Sequence, residues 1–230
     1  MEIRRSEERG RETLSWLDSR HSFSFGSYYD PRHLGFRGLR VINEDRVHPG
    51  TGFGTHGHRD MEIISYVLAG AIEHRDSKGH HSVLRPGRVQ RMSAGTGIRH
   101  SELNPSSDEP LHFLQIWIEP GERGIEPGYQ EAVLDDESRR GRFELIADRS
   151  GKAALTLHST AKLYTALVDQ GEELCYALEP NRHAWLQVAR GTISIGGTAL
   201  RAGDGASFSP GELIELRASS DAELLLFDLD

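Results

Sequence analysis

Two short histidine-rich stretches constrain the fold of this chain most strongly. The first, GTGFGTHGHRDME, carries His56 and His58, and the second, GTGIRHSELN, carries His100 and Glu102. Each pair has a single residue between its members, and residues i and i+2 of a β-strand face the same way. Each stretch therefore directs two metal-ligating side chains to one side of a strand. Two such strands facing each other could close a four-ligand metal site.

Short apolar runs separated by turn residues make up most of the remaining chain. They include LRVINEDRV (39–47) and LHFLQIWIEP (111–120) in the first half, and HAWLQVARGTISIGG and AELLLFDL in the second. Turn residues recur about every eight to twelve positions, a spacing typical of β-sandwiches and barrels. The only helical candidate lies within residues 128–140, where the apolar period is weak. The sequence therefore predicts an all-β protein.

The second half of the chain resembles a copy of the first. VLAGAIEH (67–74) aligns with VARGTISI (188–195), and RPGRV (85–89) aligns with RAGDG (201–205). The intervening segment 121–141 is rich in glycine, proline and charge, so we expect it to be a connection. The prediction is an N-terminal barrel over 1–120 with the metal site and a C-terminal barrel over 142–230 without metal. In these alignments His56, His58, His100 and Glu102 fall on Ala177, Glu179, Leu216 and Ala218.

Charge and hydropathy exclude several classes of partner. The net charge is −8 at pH 7, and the basic residues are scattered among acidic ones. Phosphate binding needs clustered lysine and arginine, so we expect no nucleic-acid partner. A membrane-spanning helix needs about 18 or more consecutive apolar residues, and the sequence has no such run. We therefore expect no membrane partner.

The termini and the cysteine usage indicate a cytoplasmic protein. The start, MEIRRSEERGRE, is charged where a signal peptide would be apolar. The single cysteine, Cys175, excludes an intrachain disulfide and fits a reducing compartment. We expect Cys175 to be a small core residue on an apolar strand rather than a reactive thiol.

Three imidazoles and one carboxylate form a mixed nitrogen and oxygen ligand set. Such a set suits a first-row divalent ion, namely Fe, Mn, Co, Ni, Cu or Zn. A structural zinc site would more often use cysteines, which this region lacks. On an octahedral ion, four protein ligands leave two positions for a chelating substrate, or for O2 together with substrate. Glu62 is an alternative carboxylate, because its even number keeps it in phase with His56 and His58.

Several strings of this sequence resemble known family motifs. Residues Gly50, His56, His58, Glu62 and Gly70 resemble the first cupin motif, and Gly87, His100 and Asn104 resemble the second. The second motif departs from the usual pattern by Ser93 in place of proline and by two extra residues before His100. The strings HSFSFGSYYDP, GFGTHGHRDMEIISYVLAG, MSAGTGIRHSELN and LHFLQIWI are more specific. They resemble the pirin family of bicupins over most of residues 16–120, and the second half agrees in layout.

The resemblance implies a bicupin, in which one chain forms two double-stranded β-helix (jelly-roll) barrels. It implies one metal in the N-terminal barrel, held by residues matching His56, His58, His100 and Glu102, with iron as the first candidate. The pirin pattern favours Glu102 over Glu62 as the carboxylate ligand. Glu62 would then be a hydrogen-bond partner, a solvated strand residue, or an acceptor that orients a ligand imidazole.

Two functions follow from the resemblance. Bacterial members are similar to quercetin 2,3-dioxygenases, which implies that this chain cleaves quercetin or related flavonols with O2 and releases carbon monoxide. Glu102 would be the catalytic base that accepts the proton of the flavonol 3-hydroxyl. Nuclear eukaryotic members act as iron-dependent coregulators, so the alternative is a non-enzymatic, redox-responsive metal-binding protein with a protein partner.

The other histidines and the aromatic residues carry weaker expectations. We expect His112 with Gln115 either to border the pocket or to have a buried hydrogen-bonded role. The aromatic side chains of the N-terminal half are candidates for the pocket wall, among them Phe23, Phe25 and Phe53. Histidines in polar or turn contexts are expected at the surface: His48, His74, His80, His81 and His158.

Overall fold

The computed structural model describes residues 1–230 and consists almost entirely of β-strands. The first eleven are β1 (Glu2–Arg4), β2 (Gly10–Thr13), β3 (Leu17–His21), β4 (Leu39–Val47), β5 (Gly52–His58), β6 (Glu62–Ala69), β7 (Ile72–Asp76), β8 (His81–Leu84), β9 (Arg88–Ser93), β10 (Ile98–Leu103) and β11 (Leu111–Ile118). The others are β12 (Gly128–Val133), β13 (Glu144–Asp148), β14 (Leu155–Thr156), β15 (Lys162–Val168), β16 (Glu173–Ala177), β17 (His183–Arg190), β18 (Thr192–Ile195), β19 (Thr198–Arg201), β20 (Gly205–Phe208), β21 (Leu213–Ala218) and β22 (Ala222–Leu229). The helical segments are a 3-10 turn (Ser6–Glu8) and α1 (Asp136–Arg139). Neither could cross a bilayer.

The strands form two barrels of matching topology, each built from a seven-stranded and a four-stranded sheet. In the first barrel the order is β12-β9-β6-β11-β4-β3-β2 in the large sheet and β5-β10-β7-β8 in the small one. In the second barrel it is β1-β20-β17-β22-β15-β13-β14 and β16-β21-β18-β19. The expected all-β bicupin architecture is confirmed.

The largest hydrophobic cluster contains residues from the large sheets of both barrels. It has 22 buried residues, including Ile64 of β6 and Phe227 of β22. The central strands of the large sheets are consequently buried on both faces, and β22 is buried at all of its eight positions. This explains why these strands are nearly continuous apolar runs rather than alternating ones.

The internal repeat is visible in the strand register. Gly70 and Gly191 both begin a hairpin return with φ near +73° and +75°. A Cβ at either position would collide with a backbone carbonyl, of Pro110 or of Asp221 respectively. Only glycine fits this turn in both barrels, so the two turns serve as a common reference for comparing the barrels.

The observed strand pairing shifts the alignment of the two barrels by two residues at the second motif. Glu102 lies opposite His74 in the first barrel, and the residue one repeat after His74 is Ile195, which lies opposite Leu216. Leu216 therefore corresponds to Glu102, rather than to His100 as the sequence alignment has it. The reason is that the first barrel has two more residues between β9 and the site strand β10. By the same register, His100 opposite His56 corresponds to Ile214 opposite Tyr176.

Two edge strands depart from the barrel boundaries predicted from the sequence. β1, at the start of the chain, pairs with β20 of the second barrel. β12 lies within the segment 121–141 that we expected to be a connection, and it pairs with β9 of the first barrel. β12 is half-exposed and polar, as edge strands commonly are, so its sequence lacks the apolar alternation of an inner strand.

The prediction that Cys175 is a core residue is wrong. Cys175 is exposed. It lies on β16, whose alternate residue Leu174 is the buried one. Since side chains alternate across a strand, the small sheet directs Leu174 into the barrel and Cys175 out of it.

Candidate metal centre

The two histidine-rich stretches meet in the four-stranded sheet of the first barrel. β5 carries His56 and His58, and its neighbour β10 carries His100 opposite His56. The His100 Nε2 atom lies 2.9 Å from His58 Nε2 and 3.0 Å from His56 Nε2. All three imidazoles thus direct the same ring nitrogen to one point, which is how ligands surround a cation.

The backbone of β5 is adapted to bring these side chains together. Gly52 has φ near +154°, and a Cβ there would collide with the backbone carbonyl of Glu102. Glycine therefore allows β5 to approach β10 closely. The pairing also has a bulge between His100 and Glu102, where β5 has one residue more. Such bulges redirect side chains next to functional sites.

Hydrogen bonds to the other ring nitrogen set the orientation of two imidazoles. His56 Nδ1 lies 2.8 Å from the carbonyl oxygen of Gly54 and donates to it. His100 Nδ1 lies 3.5 Å from Nδ1 of His74, whose Nε2 lies 3.3 Å from Asp76 Oδ2. In the chain in which His74 donates from Nε2 to Asp76, Nδ1 of His74 is free to accept from Nδ1 of His100. His100 then carries its proton on Nδ1, and its Nε2 keeps a free lone pair. Contacts of this kind fix the tautomer of a metal-ligating histidine.

The prediction that His74 is a surface residue is wrong. The side chain is fully buried, between the imidazole of His100 at 5.2 Å and the ring of Tyr129 at 4.9 Å. The polar turn that follows β7 pointed to exposure. However, β7 is an inner strand of the sheet, and position 74 faces the same side as Glu102, its partner on β10.

Burial keeps two of the site histidines, His58 and His100, neutral. Burial, reinforced by repulsion from the neighbouring imidazoles, lowers the pKa of His58 to about 4 and that of His100 to about 3. Metal binding requires the unprotonated imidazole. At neutral pH both side chains are therefore already in the form that binds a metal.

Glu102 lies beside the histidines and is held by three donors. It is 2% exposed, and its Oε1 accepts from Ser65 Oγ at 2.8 Å and from Gln90 Nε2 at 3.3 Å. Its Oε2 accepts from Gln115 Nε2 at 2.5 Å. A carboxylate oxygen of Glu102 lies within 4.8 Å of ring nitrogens of His74 and His100. The carboxylate therefore has a fixed position next to the imidazoles.

Glu62 lies outside this group. It is buried on β6, where its Oε2 accepts from the backbone N–H of His158 at 3.3 Å and lies 3.9 Å from Arg91 Nε. The even numbering that linked it to His56 fails because β5 ends at His58 and the chain turns through Asp60, with φ near +49°. Glu62 thus begins a strand of the other sheet and has the role of a hydrogen-bond partner.

A cavity of about 340 Å³ opens beside His56 and His58. This volume falls in the range of about 300 to 1,000 Å³ that small-molecule sites occupy. Phe25 and Phe53 line it, as expected, whereas Phe23 packs in the core between the barrels. The complete lining is Phe25, Asn43, Asp45, Phe53, His56, Gly57, His58, Glu102, Gln115 and Trp117.

Gln115 borders the cavity as expected, but His112 does not line it. The His112 ring is only partly buried and lies 2.9 Å from Glu44 Oε1. Trp117 was not anticipated from the sequence, and its indole packs edge-on against His58 at 4.9 Å and Phe25 at 5.4 Å. The cavity therefore combines an aromatic wall with a polar floor.

A buried polar chain leads away from the cavity. The Asp45 carboxylate accepts from Ser19 Oγ, which lies 2.8 Å from Nε2 of His21. Burial raises the pKa of Asp45 to about 7, against the opposing effect of the Ser19 hydrogen bond, and lowers the pKa of His21 to about 4. His21 is therefore neutral, and Asp45 is a carboxyl group that is poorly stabilised in its ionised form.

Comparison with known proteins identifies the family. The family model described as Pirin matches residues 2–118, and the model described as Quercetinase C-terminal cupin domain matches residues 145–229. The chain belongs to the pirin family. An Escherichia coli relative named quercetin 2,3-dioxygenase is 44% identical over 227 residues, covering 99% of this chain and 97% of the relative.

Solved pirin structures have the same architecture. The crystal structure of YhhW from Escherichia coli matches this pirin with a TM-score of 0.95 at 43% identity, covering 100% of this chain and 97% of that chain. A structure of YhhW in complex with nickel(II) gives a TM-score of 0.94 at 43% identity, with 99% and 98% covered. The family resemblance recognised from the sequence motifs is confirmed.

The side chains of this pirin fit a single divalent ion. The Nε2 atoms of His56 and His58 both lie within 3.0 Å of the Nε2 atom of His100. Neutral imidazoles suit first-row divalent metals, and the carboxylate of Glu102, which lies close to His100, would add a harder ligand. The donor set and the convergence of its atoms therefore match the metal that the family implies.

Proposed function

We propose that this pirin is a metal-dependent quercetin 2,3-dioxygenase, which opens the heterocycle of a flavonol with O2 and releases carbon monoxide. The observation that carries the proposal is the convergence of three imidazoles on one point beside an aromatic-lined cavity and a buried carboxylate. The 44% identity to the relative named quercetin 2,3-dioxygenase supports the substrate class.

We propose His56, His58, His100 and Glu102 as the metal ligands and Glu102 as the catalytic base. A divalent ion at this point would supply a Lewis acid that lowers the pKa of a flavonol hydroxyl. Glu102 accepts the proton of that hydroxyl. Its carboxylate is oriented for this task by Gln115 and Ser65, which hold its two oxygens separately. A base must lie within hydrogen-bond reach of its proton, and the presence of Glu102 in the cavity lining supports this role.

The aromatic wall positions the substrate. Phe25, Phe53 and Trp117 present ring surfaces to the cavity, and flat aromatic ligands pack favourably against ring faces and edges. Trp117 also packs against His58, so the wall and the ligand set support each other. The same side chains exclude water from the reacting groups.

We propose iron as the resident metal, at one ion per chain. The mixed nitrogen and oxygen ligand set accepts several first-row ions. Nickel(II) is the ion in the YhhW complex from Escherichia coli. Elemental analysis of protein purified without added metal identifies the native ion, and a predominance of any metal other than iron would contradict this assignment.

We also propose that the protein acts in the cytoplasm. Its single cysteine is unpaired and exposed, a state that a reducing compartment preserves. Fractionation of cells with detection of the native protein tests the location, and recovery outside the cytoplasmic fraction would contradict it.

The test of the activity is anaerobic reconstitution followed by assay. The metal-free protein is loaded separately with Fe, Mn, Co, Ni or Cu, and quercetin and O2 are added while carbon monoxide is measured. We expect turnover with at least one of these ions and none in a His56→Ala, His58→Ala double variant. Absence of turnover with all five ions would overturn the proposal.

A further inference from the structure

Asn43 and Asp45 form a polar strip on the cavity side of β4. They occupy positions i and i+2 of the strand, so both side chains face the same way. Both line the cavity and each is 3% exposed. Across the sheet they lie opposite Gln115 and Phe113 of β11, which places the strip beside the amide that orients Glu102.

The side chain of Asn43 has no hydrogen-bond partner within the protein. Its Oδ1 is buried and unpaired. Buried polar groups in folded proteins are paired in the large majority of cases, and an unpaired one destabilises the fold. An amide held at the cavity wall in this state is suited to pair with a group of a bound ligand.

Asp45 lacks the cationic partners that its neighbour has. Glu44, on the opposite face of β4, contacts Arg9 at 2.7 Å, Arg46 at 2.8 Å and His112 at 2.9 Å. Asp45 makes no ion pair, and its only protein hydrogen bond comes from Ser19. One strand therefore carries a fully compensated carboxylate on one face and an uncompensated carboxylate on the cavity face.

The strip needs hydrogen-bonding groups from a ligand. The side-chain amide of Asn43 can accept through Oδ1 and donate through Nδ2, the carboxyl group of Asp45 can accept, and the aromatic wall opposite favours a flat ring over a hydrated ion. Phenolic hydroxyl groups on an aromatic ring supply both properties. A site built to bind a hydroxyl group discriminates strongly against an analogue that lacks it, because its polar groups are then left unpaired.

We infer that Asn43 and Asp45 form a subsite that binds phenolic hydroxyl groups of the substrate other than the one directed at the histidines. The inference rests on the proposed function, which supplies the ligand class, and it narrows that class to polyhydroxylated flavonols. Neither residue takes part in the metal ligand set. Their effect is on which flavonol binds and in what orientation.

The test compares two ligands that differ in these hydroxyl groups. Quercetin and 3-hydroxyflavone are titrated into nickel-loaded protein without O2, with calorimetry giving each dissociation constant. We expect the wild type to bind quercetin about tenfold or more tightly than 3-hydroxyflavone. In Asn43→Leu and in Asp45→Asn this ratio falls toward unity. Asp18→Asn, the same change at a half-buried strand position outside the cavity lining, keeps the wild-type ratio.

Thermal unfolding separates ligand recognition from a structural role. Asn43→Leu removes an unpaired buried amide, so its melting temperature is expected to match or exceed that of the wild type. A lower ratio in a variant of unimpaired stability supports the subsite. An unchanged ratio in both variants overturns it.

The binding ratio also keeps this inference distinct from the activity proposal. If the wild type releases no carbon monoxide but the ratio falls in the variants, the subsite stands and the dioxygenase assignment fails. If turnover is found and the ratio is unchanged, only the subsite fails.

Discussion

The two barrels have the same strand order, but the side chains that face their interiors differ in polarity. In the small sheet of the first barrel, the inward positions hold His56, His74, His100 and Glu102. The corresponding positions of the second barrel hold Tyr176, Ile195, Ile214 and Leu216. The second barrel has one continuous cluster of 18 buried hydrophobic residues, whereas the interior of the first is divided between clusters of 7 and 4.

The difference shows how one fold supports both a site and a core. The proposed ligand positions of the first barrel remove apolar contacts and add polar groups, and each polar group that is buried must be paired to avoid a free-energy cost. The second barrel fills the same positions with leucine, isoleucine and tyrosine. We infer that the chemistry belongs to the first barrel, and that the second contributes stability and the large sheet on which the first packs.

The largest predicted effect is on turnover in the first barrel. His100→Ala removes the central imidazole of the three, so carbon monoxide release is expected to fall at least about 100-fold, since ligand loss exceeds the 10 to 100-fold effect of losing a supporting contact. His183→Ala, a histidine change in the second barrel, is the control and is expected to retain activity. Equal losses of activity in the two variants would contradict the assignment of the chemistry to the first barrel.

Exchanging residue types between the interiors is expected to have the next largest effect. Leu216→Glu places a charge within the apolar cluster of the second barrel and is expected to destabilise the fold by about 3 to 5 kcal/mol. Glu102→Gln keeps the shape of the polar side chain among its amide and hydroxyl partners and is expected to cost no more than about 1 kcal/mol. Urea unfolding measures both. Similar costs would show that the two interiors do not differ in polarity as described.

The pH dependence of stability tests the difference between the two barrels at one pair of corresponding positions. Asp45 lies opposite Phe113, and its counterpart Ala166 lies opposite Leu224. Since the pKa of Asp45 rises from 3.8 to about 7 on folding, the folded chain retains a proton that the unfolded chain has released. The titration of Asp45 therefore lowers the free energy of unfolding as pH rises from about 4 to about 7.

Asp45→Asn, in metal-free protein, lacks this titration. Relative to the wild type, the variant is expected to gain stability across that interval, by about 4 kcal/mol at its upper end. Denaturant unfolding at several pH values measures the difference between the two proteins. A difference that stays constant with pH would contradict the buried, uncompensated state of the carboxyl group.

The smallest predicted effect concerns His74, whose counterpart is Ile195. His74→Phe keeps an aromatic ring beside Tyr129 but removes the acceptor of His100 Nδ1. Metal affinity is expected to fall about 10 to 100-fold, as for other partners of ligand histidines. Competition with a chelator measures the dissociation constant, and His80→Phe, at the half-exposed ring on the other side of Tyr129, is the control. Unchanged affinity in His74→Phe would leave the ring with a packing role alone.

The sequence predicts much of this arrangement because strand periodicity acts locally. The single-residue spacing of His56 with His58 and of His100 with Glu102 was enough to place each pair on one side of a strand. The recurrence of the VLAGAIEH pattern revealed the second barrel. Both inferences depend on neighbouring residues, which the backbone geometry relates directly.

Residues whose environment is set by distant segments could not be placed in this way. His74 is followed by a polar turn, yet it is covered by Tyr129 from a strand that looked like a connection. A signal was present in β4, where Asn43, Glu44 and Asp45 are three successive polar residues within an apolar strand, and all three are buried. Polar residues on both faces of an inner strand indicate a cavity or a buried ion pair, and here both occur.

We propose that only the first of the two barrels holds a metal ion. The most direct measurement is elemental analysis of the reconstituted wild-type chain and of the His56→Ala, His58→Ala variant, after removal of loosely bound ions. We expect close to one metal ion per chain in the wild type and close to none in the variant. Two ions per wild-type chain, or an unchanged metal content in the variant, would contradict it.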